Sequence, residues 1–237
     1  MRQAGRIVAA VLDEMAVQAA RPGVTTAELD RVAEELIRSL GGEPSFKGYR
    51  GYPATICASV NEEIVHGIPG ERKLVEGDIV SIDVGAIWEG YQGDAAITVA
   101  VGQVTPEVQR LMEVTRAALQ AAIAAARAGN RLGDISHAVE QTAVQGGFQV
   151  VREYGGHGIG RRMHEPPRIP NEGPAGQGLR LRAGMTLAIE PMLTTGNGQT
   201  RVLPDLWTVV TARGDLAAHY EHTVLVTQDG AEVLTSK

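Results

Sequence analysis

Val8, Val11, Leu12 and Met15 recur at helical spacing, and Pro22-Gly23 ends that run. Thr25-Thr26-Ala27-Glu28 has the order of a capping box, with Leu29, Val32, Ala33 and Leu36 as an apolar stripe behind it. A second helix is therefore predicted, closing at Gly41-Gly42. From Tyr52 to His66 the chain is β-branched in places and stops at the turn His66-Gly67-Ile68-Pro69-Gly70. Asp78 to Asp83 is mostly apolar, Glu89-Gly90 marks a turn, and Ala95 to Val101 reads as the return strand of a hairpin.

The second half repeats this plan. Thr105-Pro106-Glu107 starts a helix whose inner face is Val108, Leu111, Met112, Leu119 and Ile123. Residues 127–147 align with 21–42 at a shift of 106 positions, and 181–190 with 74–83 at a shift of 107. The second alignment places Glu190 on Asp83, and matching 221–227 to 94–100 places Glu221 on Asp94. A repeat of this length predicts an internal pseudo-twofold rather than a solenoid. The expectation is a single α+β domain over 1–237, with halves at about 1–102 and 103–237, each of two helices and antiparallel strands. The glycine-rich stretch 173–178 reads as a surface loop, not a linker.

These elements have ample apolar material, since 43% of the 237 residues are hydrophobic and 21% charged, the balance of a soluble globule. A net charge of −6, with no basic stripe beyond pairs such as Arg161-Arg162, argues against a nucleic-acid partner. The apolar run from Ile7 to Leu12 is too short for a signal sequence, and Asp13-Glu14 follow at once. No stretch approaches the ~18 apolar residues of a membrane span. A single cysteine, Cys57, excludes an intramolecular disulfide, and a cytoplasmic chain is expected.

The candidate chemistry lies in the acids that the repeat relates. A carboxylate in an apolar strand is costly unless something neutralises it. If Glu89-Gly90 are the central turn residues, Gly85 faces Asp94, and Asp83 lies on the same face as a diagonal neighbour of Asp94. One such acid could simply reach solvent at an edge or pair with arginine; four related by a repeat point to shared divalent cations. His157 adds an imidazole within the glycine-rich run Tyr154-Gly155-Gly156-His157-Gly158-Ile159-Gly160. Four carboxylates and one imidazole suit manganese, iron or cobalt as well as zinc. His164, in the same segment, is a second candidate, and His66 is open between a role and a plain turn position. His137, His219 and His222 read as solvent-exposed loop histidines. No HExxH, GxSxG, dinucleotide fingerprint or phosphate loop is present.

Five segments carry a family resemblance: 59–69 (SVNEEIVHGIP), 77–96 (GDIVSIDVGAIWEGYQGDAA), 154–167 (YGGHGIGRRMHEPP), 184–192 (GMTLAIEPM) and 220–227 (YEHTVLVT). Together they resemble the type I methionine aminopeptidases of bacterial kind, metallopeptidases with a pita-bread fold, from about Gly5 to Leu234. The resemblance implies two divalent metal ions (Mn, Fe, Co or Zn), with Asp83 chelating one, Asp94 and Glu221 bridging both, and His157 and Glu190 completing the second. It implies catalytic roles for His66, which would orient the scissile amide, for His164, a hydrogen-bond donor to the oxyanion, and for Glu190, a proton shuttle.

A thioether-sized substrate pocket is implied at Tyr49, Tyr52, Cys57 and Trp207, with His66 and His164 at the reacting end and Phe46 and Met163 nearby. Plain core packing is the alternative for each wall residue. Phe46, Met163, Arg50 and Asn171-Glu172 depart from residues common in bacterial members. A monovalent cation is implied near Asn61, Glu63 and Ala217. The implied activity is removal of initiator methionine from nascent polypeptide N-termini by metal-activated water. The ribosome is a candidate partner, and a monomer is expected. The alternatives are a Xaa-Pro peptidase of the same fold and a non-catalytic pita-bread binding module.

Overall fold

The chain opens with two helices, α1 (Arg2–Ala19) and α2 (Thr26–Ser39), in a computed structural model that describes residues 1–236. α1 buries Val8, Val11, Leu12 and Met15, the face given by the spacing, together with Ala4, Ile7 and Ala19. The capping box of α2 closes from both sides. Glu28 N–H donates to Thr25 Oγ1 at 3.1 Å, and Thr25 N–H donates to the Glu28 carboxylate at 2.7 Å. A cap of this kind typically contributes about 1 kcal/mol.

Strands Ile79–Trp88 and Tyr91–Ala100 form the hairpin, with Trp88 opposite Tyr91. Glu89 and Gly90 are both left-handed (φ 49° and 76°), as a two-residue turn matched to strand twist requires. The return strand starts at Tyr91, earlier than the apolar pattern predicts. Gln92 and Gly93 extend it through backbone pairing, the Gln92 side chain bonding Ser45 and Gly93 lying against the α1 backbone, so neither adds an apolar signal. Ile79–Trp88 also pairs with Ile56–Val60 and Glu43–Pro44.

The second half begins with α3 (Pro106–Ala125) and α4 (Leu132–Gly146), the positions predicted by repeating the first pair. Strands Thr186–Ile189 and His222–Val226 pair antiparallel inside a five-stranded sheet with Ala231–Val233, Gly155–Gly158 and Glu165–Pro170. Each helix pair covers its own sheet. Ile7, Val11, Met15 and Leu29 pack with Val80, Ile82 and Val84. Leu111, Leu119, Ile135 and Val139 pack with Leu187, Ile189 and Val224. The stretch 174–178 is exposed, as a surface loop should be.

The halves meet along the two acid-bearing strands. Glu221 N–H donates to Ala96 O at 2.9 Å, and Ala96 N–H donates to Glu221 O at 3.3 Å. Thr223 Oγ1 accepts from Asp94 N–H at 3.1 Å and donates to Asp94 O at 2.7 Å. Thr98 Oγ1 does the same for His219, at 2.9 and 2.8 Å. These two hydroxyls fix the backbone of an acid and of a histidine that face a common interior. The halves are not identical in register. Asp94 stands opposite Gly85, diagonal to Asp83, whereas the second ladder runs on from His222↔Ile189 to set Glu221 against Glu190.

Candidate metal centre and pocket

Asp83, Asp94, His157, Glu190 and Glu221 all line one cavity of about 160 Å³. Asp94, His157 and Glu221 are buried, and Asp83 and Glu190 are partly so. His157 Nδ1 lies 2.9 Å from Gly158 O, and a carbonyl only accepts, so Nδ1 carries the proton. The bare Nε2 is left facing Asp94 Oδ2 at 3.8 Å and Glu190 Oε1 at 3.6 Å. These separations are too long for hydrogen bonds, yet suit atoms that share one cation at about 2.0–2.2 Å each.

The residues fit a divalent metal on a second ground. Asp83 Oδ1, Asp94 Oδ1, Glu221 Oε1 and His219 Nε2 are buried and have no hydrogen-bond partner among the described residues. Leaving one such group unmade costs roughly 1–3 kcal/mol, more when it is charged. Asp94, His157 and Glu221 form one trio of convergent ligand atoms, and Glu190, His219 and Glu221 another, with Glu221 common to both.

Without a cation the electrostatics are adverse. Burial raises the carboxyl pKa of Asp83, with Asp94 and Glu190 adding to it. Burial pushes Asp94 up to about 7. Glu190 and Glu221 are raised by burial first and by neighbouring acids second. The histidines move the other way: burial lowers His157 and His66 and takes His219 down to about 3. Burial, then His157, Arg50 and His66, bring His164 to about 4. A neutral imidazole beside clustered acids is the protonation state a metal ligand requires.

The rest of the cavity wall is apolar and aromatic: Phe46, Tyr49, Tyr52, Cys57, Met163 and Trp207, with Arg50, His66 and His164 at its polar end. Tyr52 and Trp207 meet edge to face at 5.0 Å, and Tyr52 Oη donates to the carbonyls of Ile56 and Gly67. Cys57 pairs with Asp83 across the sheet; burial and then Asp83 raise its thiol pKa, so it is wall, not nucleophile. Tyr49 Oη lies 3.0 Å from His164 Nδ1, with the two rings stacked.

His66 is held at φ 60°, and the adjacent Gly67 has no room for a Cβ, which would lie 2.5 Å from Ala58 O. Arg50 (φ 50°) is also left-handed, so two of the five described non-glycine residues with positive φ line this cavity, and a third, Leu206 (φ 67°), precedes its wall residue Trp207. Backbone strain of this sort concentrates at functional sites. An open cleft of about 480 Å³ shares His66, His157, His164 and Glu190 with the cavity and leads outward past Tyr154 and Arg168.

The histidine expectations need correction. His219 is no solvent-exposed loop residue: it ends the strand Ala217–His219 at 2% exposure, beside Glu190 and Glu221. Its signal in the sequence was parity, since a residue two before Glu221 shares its face on an extended chain. His222 lies within a strand and bonds Thr235 Oγ1, and His137 lies within α4; both are half-buried.

The metallopeptidase family M24 model matches residues 1–228. The chain belongs to metallopeptidase family M24. Within the family it is 51% identical over 236 residues to a methionine aminopeptidase from Clostridium acetobutylicum, covering 99% of this chain and 94% of that one. It is 52% identical over 242 residues to methionine aminopeptidase 1 of Mycobacterium tuberculosis, covering 99% and 91%. The solved methionine aminopeptidase of Thermotoga maritima superposes with a TM-score of 0.98 at 47% identity, covering 100% of this chain and 95% of that one. The M24 chain thus has the α+β pita-bread architecture and uses divalent metal. Among the departures from the bacterial pattern, Phe46 and Met163 are buried in the wall, and Asn171 Nδ2 reaches Glu190 O at 3.4 Å.

Proposed function

We propose that this chain is a methionine aminopeptidase, a single-domain hydrolase that removes initiator methionine from polypeptides with a small second residue. One observation carries the reading: acids and an imidazole, buried or partly so, share a single cavity with an apolar and aromatic wall, chemistry that suits a thioether side chain. The relatives' names support the same substrate.

In this reading Asp83, Asp94, His157, Glu190 and Glu221 hold two divalent cations, Mn, Fe, Co or Zn. Bound there, the cations supply Lewis acidity, which makes water a nucleophile at neutral pH and polarises a carbonyl. The protein supplies the rest. Tyr52, Cys57, Phe46, Met163 and Trp207 take the methionine side chain and exclude water from it. His66 orients the scissile amide, and His164 donates from its ring to the carbonyl oxygen as negative charge develops. Glu190 accepts a proton from the attacking water and returns it to the departing nitrogen. Nascent N-termini are the partners, and a monovalent cation beside Asn61, Glu63 and Ala217 belongs to the same reading.

The test is turnover of Met-Ala-Ser by chelator-treated protein after separate restoration of Mn²⁺, Fe²⁺, Co²⁺ and Zn²⁺. Activity should return with metal and exceed that on Ala-Pro peptides. Preference for the proline substrate, or metal binding without turnover of either, would overturn the proposal.

A further inference from the structure

His219 is buried to 2% exposure, and its Nε2 has no hydrogen-bond partner among the described residues. That nitrogen lies 3.8 Å from Glu190 Oε2 and 3.8 Å from Glu221 Oε2. A hydrogen bond is excluded at this length. The spacing nearly reproduces that of His157, 3.8 Å from Asp94 Oδ2 and 3.6 Å from Glu190 Oε1. The two imidazoles therefore address opposite oxygens of the Glu190 carboxylate. Two atoms bound to one cation at about 2.1 Å, at angles between tetrahedral and trigonal, stand roughly 3.4–3.7 Å apart. The placement is enforced by backbone. Thr98 Oγ1 holds both the N–H and the C=O of His219, and Met192 pairs with it from the other side.

We propose that His219 is itself a metal ligand, a sixth side chain that gives the centre a second imidazole through Nε2, alongside Glu190 and Glu221. This rests on the reading of the cavity as a metal centre. A histidine here replaces hard oxygen donors with a borderline nitrogen, which raises affinity for cobalt, zinc and ferrous iron relative to manganese.

The experiment is X-ray absorption at the metal edge of the full chain loaded with two equivalents of Co²⁺, which counts imidazoles by their outer-shell scattering. The expected count is two imidazoles over the two cations, falling to one in His219→Gln, with at least one Co²⁺ bound more than about a hundredfold more weakly. A count of one in the unaltered protein, or a variant with the same count and affinity within threefold, would overturn the proposal. The count on the unaltered protein decides even if the variant does not fold. A chain that bound no Co²⁺ at all would overturn the metal-centre reading itself, and this proposal with it.

Discussion

Asp94 is tied to the fold at every atom but those aimed at the cavity. Its backbone is clamped by Thr223, its strand pairs with that of Asp83, and its buried Oδ1 has no hydrogen-bond partner among the described residues. Asp94→Asn and Glu221→Gln should each lower kcat/KM for Met-Ala-Ser by about 10³-fold or more, roughly 4 kcal/mol, and weaken metal binding. Isothermal titration with Co²⁺ would check the second half, and undiminished affinity would refute the bridging role. His164 should behave differently. His164→Ala should keep its metal and lose roughly 10²–10³-fold in kcat, as when an oxyanion donor is removed; loss of metal instead would refute its role.

Tyr49 acts through that same ring. The role proposed for His164 needs its proton on Nε2, and the Tyr49 phenol, 3.0 Å from Nδ1, holds that tautomer when its O–H donates. Tyr49→Phe keeps the stacked ring and removes only this bond. It should cost about tenfold in kcat, the worth of one good hydrogen bond, and leave KM almost unchanged. In a His164→Ala background it should cost nothing further.

At the scale of elements, the strand Ile79–Trp88 serves two sites at once. Its Asp83 lines the acidic cavity, and its Gly85 leaves space for Phe46 and Ser45, since a Cβ there would lie 2.6 Å from Phe46 Cε1 and 2.8 Å from Ser45 Cβ. Gly85→Ala should push that ring into the pocket, raising KM for methionyl peptides several-fold while metal stoichiometry stays at the unaltered value. Adding Phe46→Leu should restore part of KM in steady-state assays, the Ser45 contact remaining. Failure of that rescue would mean that the glycine matters for the strand rather than for the pocket. Much of this element was legible in the sequence. The hairpin, its turn at Glu89-Gly90 and the facing of Gly85 and Asp94 all follow from alternation and turn chemistry. The early start of the return strand at Tyr91 does not, because backbone pairing leaves no apolar signature.

For the whole molecule, the gathering of acids makes stability depend on pH and metal. Above about pH 7 the histidines are neutral in both folded and unfolded chains, so they drop out. The buried acids do not: their folded pKa values are raised, Asp94 to about 7, while in the unfolded chain they are already ionised. The folded metal-free protein therefore binds more protons, and its stability falls as pH rises through those values. Below pH 6.5 the lowered histidines act oppositely, and their contribution is lost as pH falls. Calorimetry of chelated protein should show Tm decreasing as pH rises from about 6.5 through about 7. Saturating metal should abolish that slope and raise Tm throughout, and Asp94→Asn should flatten it without metal. A metal-free Tm that rises with pH would contradict the account.

Sequence alone determined the local and the repetitive. Helix faces, caps and hairpin turns come from interactions a few residues long, and the repeat puts Asp83, Asp94, Glu190 and Glu221 in equivalent places. The glycine-rich run adds His157. Tertiary structure decided what depends on the meeting of the two halves. Thr98 and Thr223 lock one half to the other, the second ladder continued past His222↔Ile189 sets Glu221 against Glu190, and His219 is buried where its strand pairs with Met192 and bonds Thr98. The two threonine locks join residues about 120–130 positions apart, and no periodicity along a chain encodes the direction in which a distant side chain points.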